Sequence, residues 1–470
     1  MAPDRKHESR LPPGPRLPRL VQTMGFLLGG PRFLEACRRR YGDAVTFSTL
    51  FDSRFVMLFD PGLVKQLFQG SGAQLHAGEA NALLGPILGE RSVLLLDGPE
   101  HLRHRRLLLP PFHGRRLALY EDVIVRATDA EIERWPIGEP FPLQPSMQSI
   151  TLHVILQAVF GYAPGPAEEA LAVRLREFIG PLAEPRNVRL LAMLRGGGAQ
   201  REFVRRRQAV DEILLAEIQR RRELPDEELA ERDDVFSALL LAQDAPDDSG
   251  AAQLARQDAE RAASPRDERL SDQEVRDELV TLLIAGHETT ATGLAWTFDL
   301  LLHAPPVLER ARQGDDTYLD AVAKESLRLR PVIPGVGRVV RGEPFPLGEW
   351  LIPPGVEINP SIRMIHRRAD LYPEPKRFRP ERFLGDDQPD TYTWVPFGGG
   401  TRRCLGASFA LLEMRLVLRR VLQRAALRPA QPEPDRVQFR AITLAPRHGA
   451  LAILERPPTP VAKLPAPVAA

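Results

Sequence analysis

The sequence predicts a mainly α-helical protein with small β-sheets, built as a single unit. Three observations carry this expectation. Apolar residues recur at helical spacing through most of 117–329 and again after Gly406. Strand-like alternation is confined to short stretches such as Ala44 to Phe59. No internal repeat and no clean compositional break divides the 470 residues. That length exceeds what one hydrophobic core usually supports, although some large folds organised on one central cofactor remain undivided. The expected organisation is an extended proline-rich N-terminus over 1–20, one domain over 21–456 and a Pro/Ala-rich tail over 457–470.

Taken in order, Leu11 to Pro15 is a proline-rich stretch expected to run extended over the surface. The apolar patch Met24 to Leu28 is far too short to span a membrane; it either packs on the body or brushes a bilayer. Ala44 to Phe59 alternates around Asp52, Ser53 and Arg54 and reads as a hairpin. Leu75 to Gly89 reads as a glycine-spaced apolar loop, and Asp97 to Glu100 open a basic helix through Leu109. Amphipathic helices fill 117–243, broken at Pro136 to Pro142, Gly161 to Pro166 and Gly196 to Gly198, and the charged stretch 244–268 reads as a surface connection. Ser271 with Glu274 is a capping box for a long helix to His303, stopped by Pro305 and Pro306. A further helix covers Tyr318 to Leu329, turns and short strands follow Pro331, and a last long helix runs from Gly406 to about Ala426.

Composition narrows the function classes. Hydrophobic content of 43% and charged content of 27% are those of a soluble globular protein, and a net charge of +1 gives no reason to invoke nucleic acid. Cys37 and Cys404 cannot form a disulfide framework, which suits a reducing cytosol. No apolar run approaches the roughly 18 residues of a membrane span, and the N-terminus lacks a signal-peptide pattern. A soluble, cytoplasmic protein without a transmembrane anchor is expected.

The stretch Phe397 to Gly406 carries the chemistry. Gly398, Gly399 and Gly400 allow close backbone approach and deliver Cys404 just before a helix whose positive end faces it. Phe397 can cover the sulfur, and Arg402 can answer a nearby anion. A single soft ligand suits haem iron, since zinc and iron–sulfur sites want several cysteines or histidines. A buried structural cysteine is the alternative. On the long helix, Ala285-Gly286-His287-Glu288-Thr289-Thr290 joins a glycine to hydroxyls that compete for backbone hydrogen bonds, a place that can bulge and hold water, or simply a polar kink. His287-Glu288 is not a zinc helix, because Ala291 stands where a second histidine is needed. Glu325 with Arg328, and His101 with Arg105, are pairs on helix faces that more often decorate surfaces.

The spacing Phe397-x-x-Gly-x-Arg402-x-Cys404-x-Gly406 resembles the haem loop of the cytochrome P450 family, and 285–290, Glu325-x-x-Arg328, Phe378 to Phe383 and Asp97 to Arg105 resemble its other segments in family order. The resemblance spans about residues 10 to 455. It implies haem b held between the long oxygen-groove helix and the cysteine-loop helix, with Cys404 as iron ligand. His101, Arg105, Arg338 and Arg402 would bind the propionates, with Phe397, Gly398, Gly406 and Ala285 also against the cofactor. Thr289 and Glu288 would serve oxygen activation, and Glu325, Arg328 and Arg382 a structural triad. Leu83, Leu84, Ile87, Val332, Ile333, Val336 and Ile442, with Ala285, would line an apolar substrate pocket.

The implied function is a haem-thiolate monooxygenase, an oxidoreductase inserting one atom of O2 into a fatty acid, terpene or polyketide. A non-catalytic haem sensor or carrier, a peroxygenase and a cysteine hydrolase are the rivals, the last lacking a histidine beside Cys404. Because only residues 405–470 follow the cysteine, electrons from NAD(P)H are expected through a separate ferredoxin or flavodoxin with its reductase. A monomer is expected, with a docking patch of Arg103, Arg106, Arg403, Arg415 and Arg419.

Overall fold

The computed structural model describes residues 10–50, 54–112, 114–162, 165–180, 198–242, 269–440 and 442–459. The stretch 244–268, most of the 457–470 tail, residues 1–9, Gly196 and Gly197, and Asp52 and Ser53 of the hairpin turn lie outside the described residues.

A small sheet sits at one side of a helical body. β1 (Ala44–Phe47) and β2 (Phe55–Leu58) form the expected antiparallel hairpin, with Ala44 opposite Leu58 and Phe47 opposite Phe55. Helix α1 (Pro61–Gln69) follows, capped by Asp60, and then β3 (Leu75–His76). β3 pairs with β4 (Arg338–Val340), β4 with β5 (Glu357–Pro360), and β5 runs parallel to β2, giving the order β1-β2-β5-β4-β3. The sheet thereby brings α1 and Arg338 to one place. Between Ala77 and Leu88 the expected open loop is instead three short helical turns. Its first turn is capped from a distance, by the Asp97 carboxylate accepting from the Gly78 and Glu79 amides at 2.9 and 3.1 Å.

Helices α2 (Gly98–Leu108), α3 (Glu121–Ile132) and α4 (Leu143–Phe160) lead to the central α5 (Asp272–Leu302). The Ser271 and Glu274 capping box forms as expected, and the 31 residues of α5 span about 46 Å at 1.5 Å per residue. Leu279, Val280, Leu283, Leu294, Trp296 and Leu301 are fully buried around its circumference, so α5 is a core axis rather than a surface helix. It lies against α4, and a Cβ on Gly286 would come within 3.0 Å of Ile155 Cδ1, so the glycine permits this close approach.

Beyond α6 (Pro305–Gln313), α7 (Asp316–Leu329) starts two residues earlier than the apolar spacing suggests. Asp315 accepts from the Tyr318 amide at 3.0 Å and sets the boundary. The short α8 (Ile362–Ile365) and the long α9 (Ala407–Arg424) follow. Strands β6 (Val437–Arg440) and β7 (Thr443–Pro446) then form a hairpin. Near the N-terminus, Phe26 packs edge-on against Phe33 and Phe47 while Leu27 and Leu28 are exposed. Cys37 is buried in a helix, apart from Cys404. Among the described residues no helix is long and apolar enough to cross a membrane.

Candidate functional site

The loop Phe397 to Gly406 is pressed between α1 and the start of α9. Gly398 and Gly400 have φ of +67° and +65°, a region in which a side chain is strained. A Cβ at Gly400 would lie 2.0 Å from the Phe68 carbonyl oxygen, and one at Gly399 2.3 Å from the Phe68 ring. The glycines are therefore required by both conformation and contact. The Cys404 amide donates to the Phe397 carbonyl at 2.9 Å, so Phe397 closes the loop through its backbone, while its ring lies edge-on to Trp394. Cys404 stands in an interior recess, enclosed by protein yet with accessible surface. Burial pushes its thiol up; the Gly406 amide, Arg105 and Arg403 pull it back.

Cations gather beside the sulfur. His101 and Arg105 share a face of α2, His101 buried and Arg105 donating to the Arg403 carbonyl at 2.7 Å. Buried Arg338, at the first residue of β4, donates to the Gly337 carbonyl at 2.7 Å and lies over the Phe68 ring. Arg402 is spent differently from the expectation: it pairs with Asp97 and donates to the Val93 and Leu96 carbonyls, binding the cysteine loop to the segment before α2. Burial, then Arg402, Arg105 and Arg338, hold His101 down at about 3. Arg338 is lowered to about 10, first by burial and then by Arg402. Asp97 pairs with Arg402 alone of these guanidiniums. Positive charge in excess, next to a thiol, is a donor set that fits haem: one soft ligand for the iron and cations for two carboxylates.

On α5, Ala285 is exposed although most of the helix is buried. The helix is unbroken through 285–290, with no bulge; Thr289 Oγ1 donates to the Ala285 carbonyl at 2.6 Å. Glu288 accepts from Gln148 Nε2 at 2.6 Å and pairs with Arg440 at 3.0 Å. Burial raises its carboxyl, opposed by Arg440 and Gln148. His287 hydrogen-bonds Thr151 at 2.9 Å and is held at about 3 by burial, and among the described residues no group of His, Cys, Asp and Glu could hold a metal ion.

The triad residues meet. Arg328 grips Glu325 through two bonds of 2.7 and 2.8 Å, and Arg382 reaches the same carboxylate at 3.3 Å. Arg328 also donates to the His366 and Pro375 carbonyls at 2.7 and 2.9 Å. His366, in turn, accepts from the Val395 amide at 3.0 Å, two residues before the cysteine loop. Of the apolar set, Leu83 and Ile442 are exposed, Leu84, Ile87, Ile333 and Val336 are half-buried, and Val332 is buried in the main core.

Asp97, Gln148, His366 and Arg440 were not among the expected site residues. Asp97 opened a motif and was legible there; the other three carry no local signal. The expected docking patch is altered. Arg103 turns inward to Glu274 at 3.4 Å, Arg415 pairs with Asp320 at 3.2 Å, and Arg419 pairs with Asp316, because facing helices supply acids that the local sequence does not display.

A family model described as Cytochrome P450 matches residues 12–452. A Mycobacterium tuberculosis protein named cytochrome P450 135B1 is 40% identical over 459 residues, covering 94% of this chain and 90% of the relative. Another from the same organism, named cytochrome P450 137, is 37% identical over 452 residues, covering 93% and 90%. Among solved structures, the retinoic acid-bound cyanobacterial CYP120A1 has a TM-score of 0.74 at 23% identity, covering 95% of this chain and 100% of that one. CYP175A1 from Thermus thermophilus has a TM-score of 0.72 at 25% identity, covering 94% and 100%.

Proposed function

Because this chain belongs to the cytochrome P450 family, and so to the haem-thiolate monooxygenases that use haem b and O2, we propose that it oxygenates a hydrophobic small molecule at the recess between Ala285 and Cys404. Haem, when bound there, supplies the reduction of dioxygen and the transfer of one oxygen atom. The convergence of Cys404 with the cation group of His101, Arg105 and Arg338 is the observation that carries this reading. In it, Cys404, held by the glycine loop, would ligate the haem iron, and Arg105 and Arg338 would pair with its carboxylates. His101 stays neutral and donates one hydrogen bond. Arg402 positions the loop through Asp97.

Thr289 holds a hydroxyl proton at the face of α5, kept in place by the Ala285 carbonyl. Glu288, raised by burial, exchanges protons between the polar side of the helix and that hydroxyl. Arg440 and Gln148 position its carboxylate. Leu83, Leu84, Ile87, Ile333, Val336 and Ile442 offer an apolar approach, which supports a fatty acid, terpene or polyketide as substrate. Electrons come from NAD(P)H through a separate ferredoxin or flavodoxin with its reductase.

The test is spectral. The reduced, carbon monoxide-bound protein is expected to show the strongly red-shifted Soret band of thiolate ligation, and Cys404→Ser to lose it; a wild-type protein without that band would overturn the reading. Binding spectra against fatty acids, terpenes and macrolides then select the substrate, and turnover with a surrogate ferredoxin separates an oxygenase from a haem sensor or carrier, which would form no product.

A further inference from the structure

A second cleft, of about 1020 Å³, opens where the end of α5, α6, the end of α7 and residues 376–381 meet. None of the residues placed around Cys404 lines it, and its volume is that of a small-molecule site. Its described lining carries Arg310, Arg330, Arg367, Lys376, Arg377 and Arg379, against one carboxylate, Glu381.

That carboxylate is already used, by Arg310 at 2.7 Å and by the Tyr318 hydroxyl at 3.2 Å. Arg377 and Arg379 share Glu374, at 3.2 and 3.8 Å. Arg330 and Arg367 form no ion pair among the described residues, and the Nε of each is buried with no hydrogen-bond partner. Arg330 lies over the Trp296 ring at 5.0 Å, with Asp299 and Asp435 acting on it only from a distance, and Arg367 reaches one carbonyl, of Leu329, at 3.4 Å. Arg363, just behind them, is lowered to about 10 by burial and by Arg330. Arg367 falls to about 9, through burial and then Arg363, Arg330 and Arg328. A buried charge normally has a partner, and here several guanidiniums raise one another's energy around an open cleft.

We propose that this cleft binds an organic phosphate. Planar guanidinium forks match phosphate oxygens in pairs, and an exposed Lys376 adds a point charge at the rim. Leu300, Val307, Tyr318 and Phe378 supply an apolar wall that inorganic phosphate alone would leave unused. The ligand would sit against the segment whose Pro375 and Arg377 carbonyls are held by Arg328.

The experiment is calorimetric titration of the haem-loaded full chain, in a phosphate-free buffer, with inorganic phosphate, pyrophosphate and ATP. ATP is expected to bind saturably at one site, more tightly than inorganic phosphate. Arg367→Gln is expected to weaken it about tenfold, the scale of one hydrogen bond to a charged group, and Lys376→Gln, at an exposed position, to weaken it in a protein whose folding is not at issue. The carbon monoxide spectrum of both variants should match wild type. No saturable binding of any probe, or equal affinity in wild type and both variants, would overturn the proposal. Equal affinity for inorganic phosphate and ATP would overturn the organic-ligand assignment. Slower electron transfer from a ferredoxin in Lys376→Gln, with no phosphate binding, would make the cleft a protein-docking surface instead.

Discussion

Glu288 stands where three elements touch: its own helix α5, Gln148 of α4 and Arg440 of the β6–β7 hairpin. A carboxyl raised by burial but tethered by a cation can both hold and release a proton, which is what a relay beside Thr289 requires. Because Arg440 favours the charged form, Arg440→Gln should raise the Glu288 carboxyl further. The Glu288-dependent limb of the activity profile should then move to higher pH, and Arg440→Lys should restore it in part. Glu288→Gln removes the titrating group and should lower product formation about 100-fold, at the low end of general acid–base contributions, while the carbon monoxide spectrum stays unchanged. Product formed per NAD(P)H consumed, measured across pH, checks both variants. An unshifted profile in Arg440→Gln would reduce the ion pair to packing.

At the scale of elements, the locking triad is the joint between α7 and the segment leading to the cysteine loop. Glu325 and Arg328 have no exposed surface, so their pairing offsets desolvation rather than adding free stability. Glu325→Gln leaves Arg328 and Arg382 facing a neutral amide in the core, at a cost of about 3–5 kcal/mol. Lower haem content and a reduced Tm are expected; a fully loaded variant with a wild-type Tm would contradict the joint. Helix α5 was legible from its capping box and the prolines that stop it, and α7 from its apolar spacing. The capping box at Ser271 places a boundary within one turn, and Asp315 shows how a cap, not the apolar pattern, sets the other. The glycine loop was legible as a spaced motif, since a loop that must approach Phe68 leaves glycines behind. What no local pattern reveals is a clamp between distant segments. Asp97 caps Glu79 from 18 residues away and pairs with Arg402 from 305 away, and the acids facing Arg103, Arg415 and Arg419 lie on other helices.

For the whole molecule, buried titratable groups make stability depend on pH in opposing directions. His287 and His366 are held neutral at about 3 by burial, against 6.5 for a free imidazole. Their contribution is present above pH 6.5 and is lost as pH falls toward 3. Glu278 runs the other way. It accepts from the Val93 amide at 2.8 Å and hydrogen-bonds His104 at 2.7 Å, joining α5, α2 and the segment before α2, and burial raises its carboxyl from 4.5 to about 7. A folded value above the unfolded one means stability is present below pH 4.5 and lost as pH rises to about 7, because the unfolded chain releases that proton first. The shift corresponds to about 3 kcal/mol. Glu278→Gln keeps an acceptor for the Val93 amide but cannot titrate. Relative to this variant, wild type should therefore lose on the order of 3 kcal/mol between pH 4.5 and 7, read as Tm curves that approach or cross as pH rises. A Tm difference constant across that range would show that Glu278 keeps the same charge in folded and unfolded chains, and that the contact between α2 and α5 is not a source of pH sensitivity.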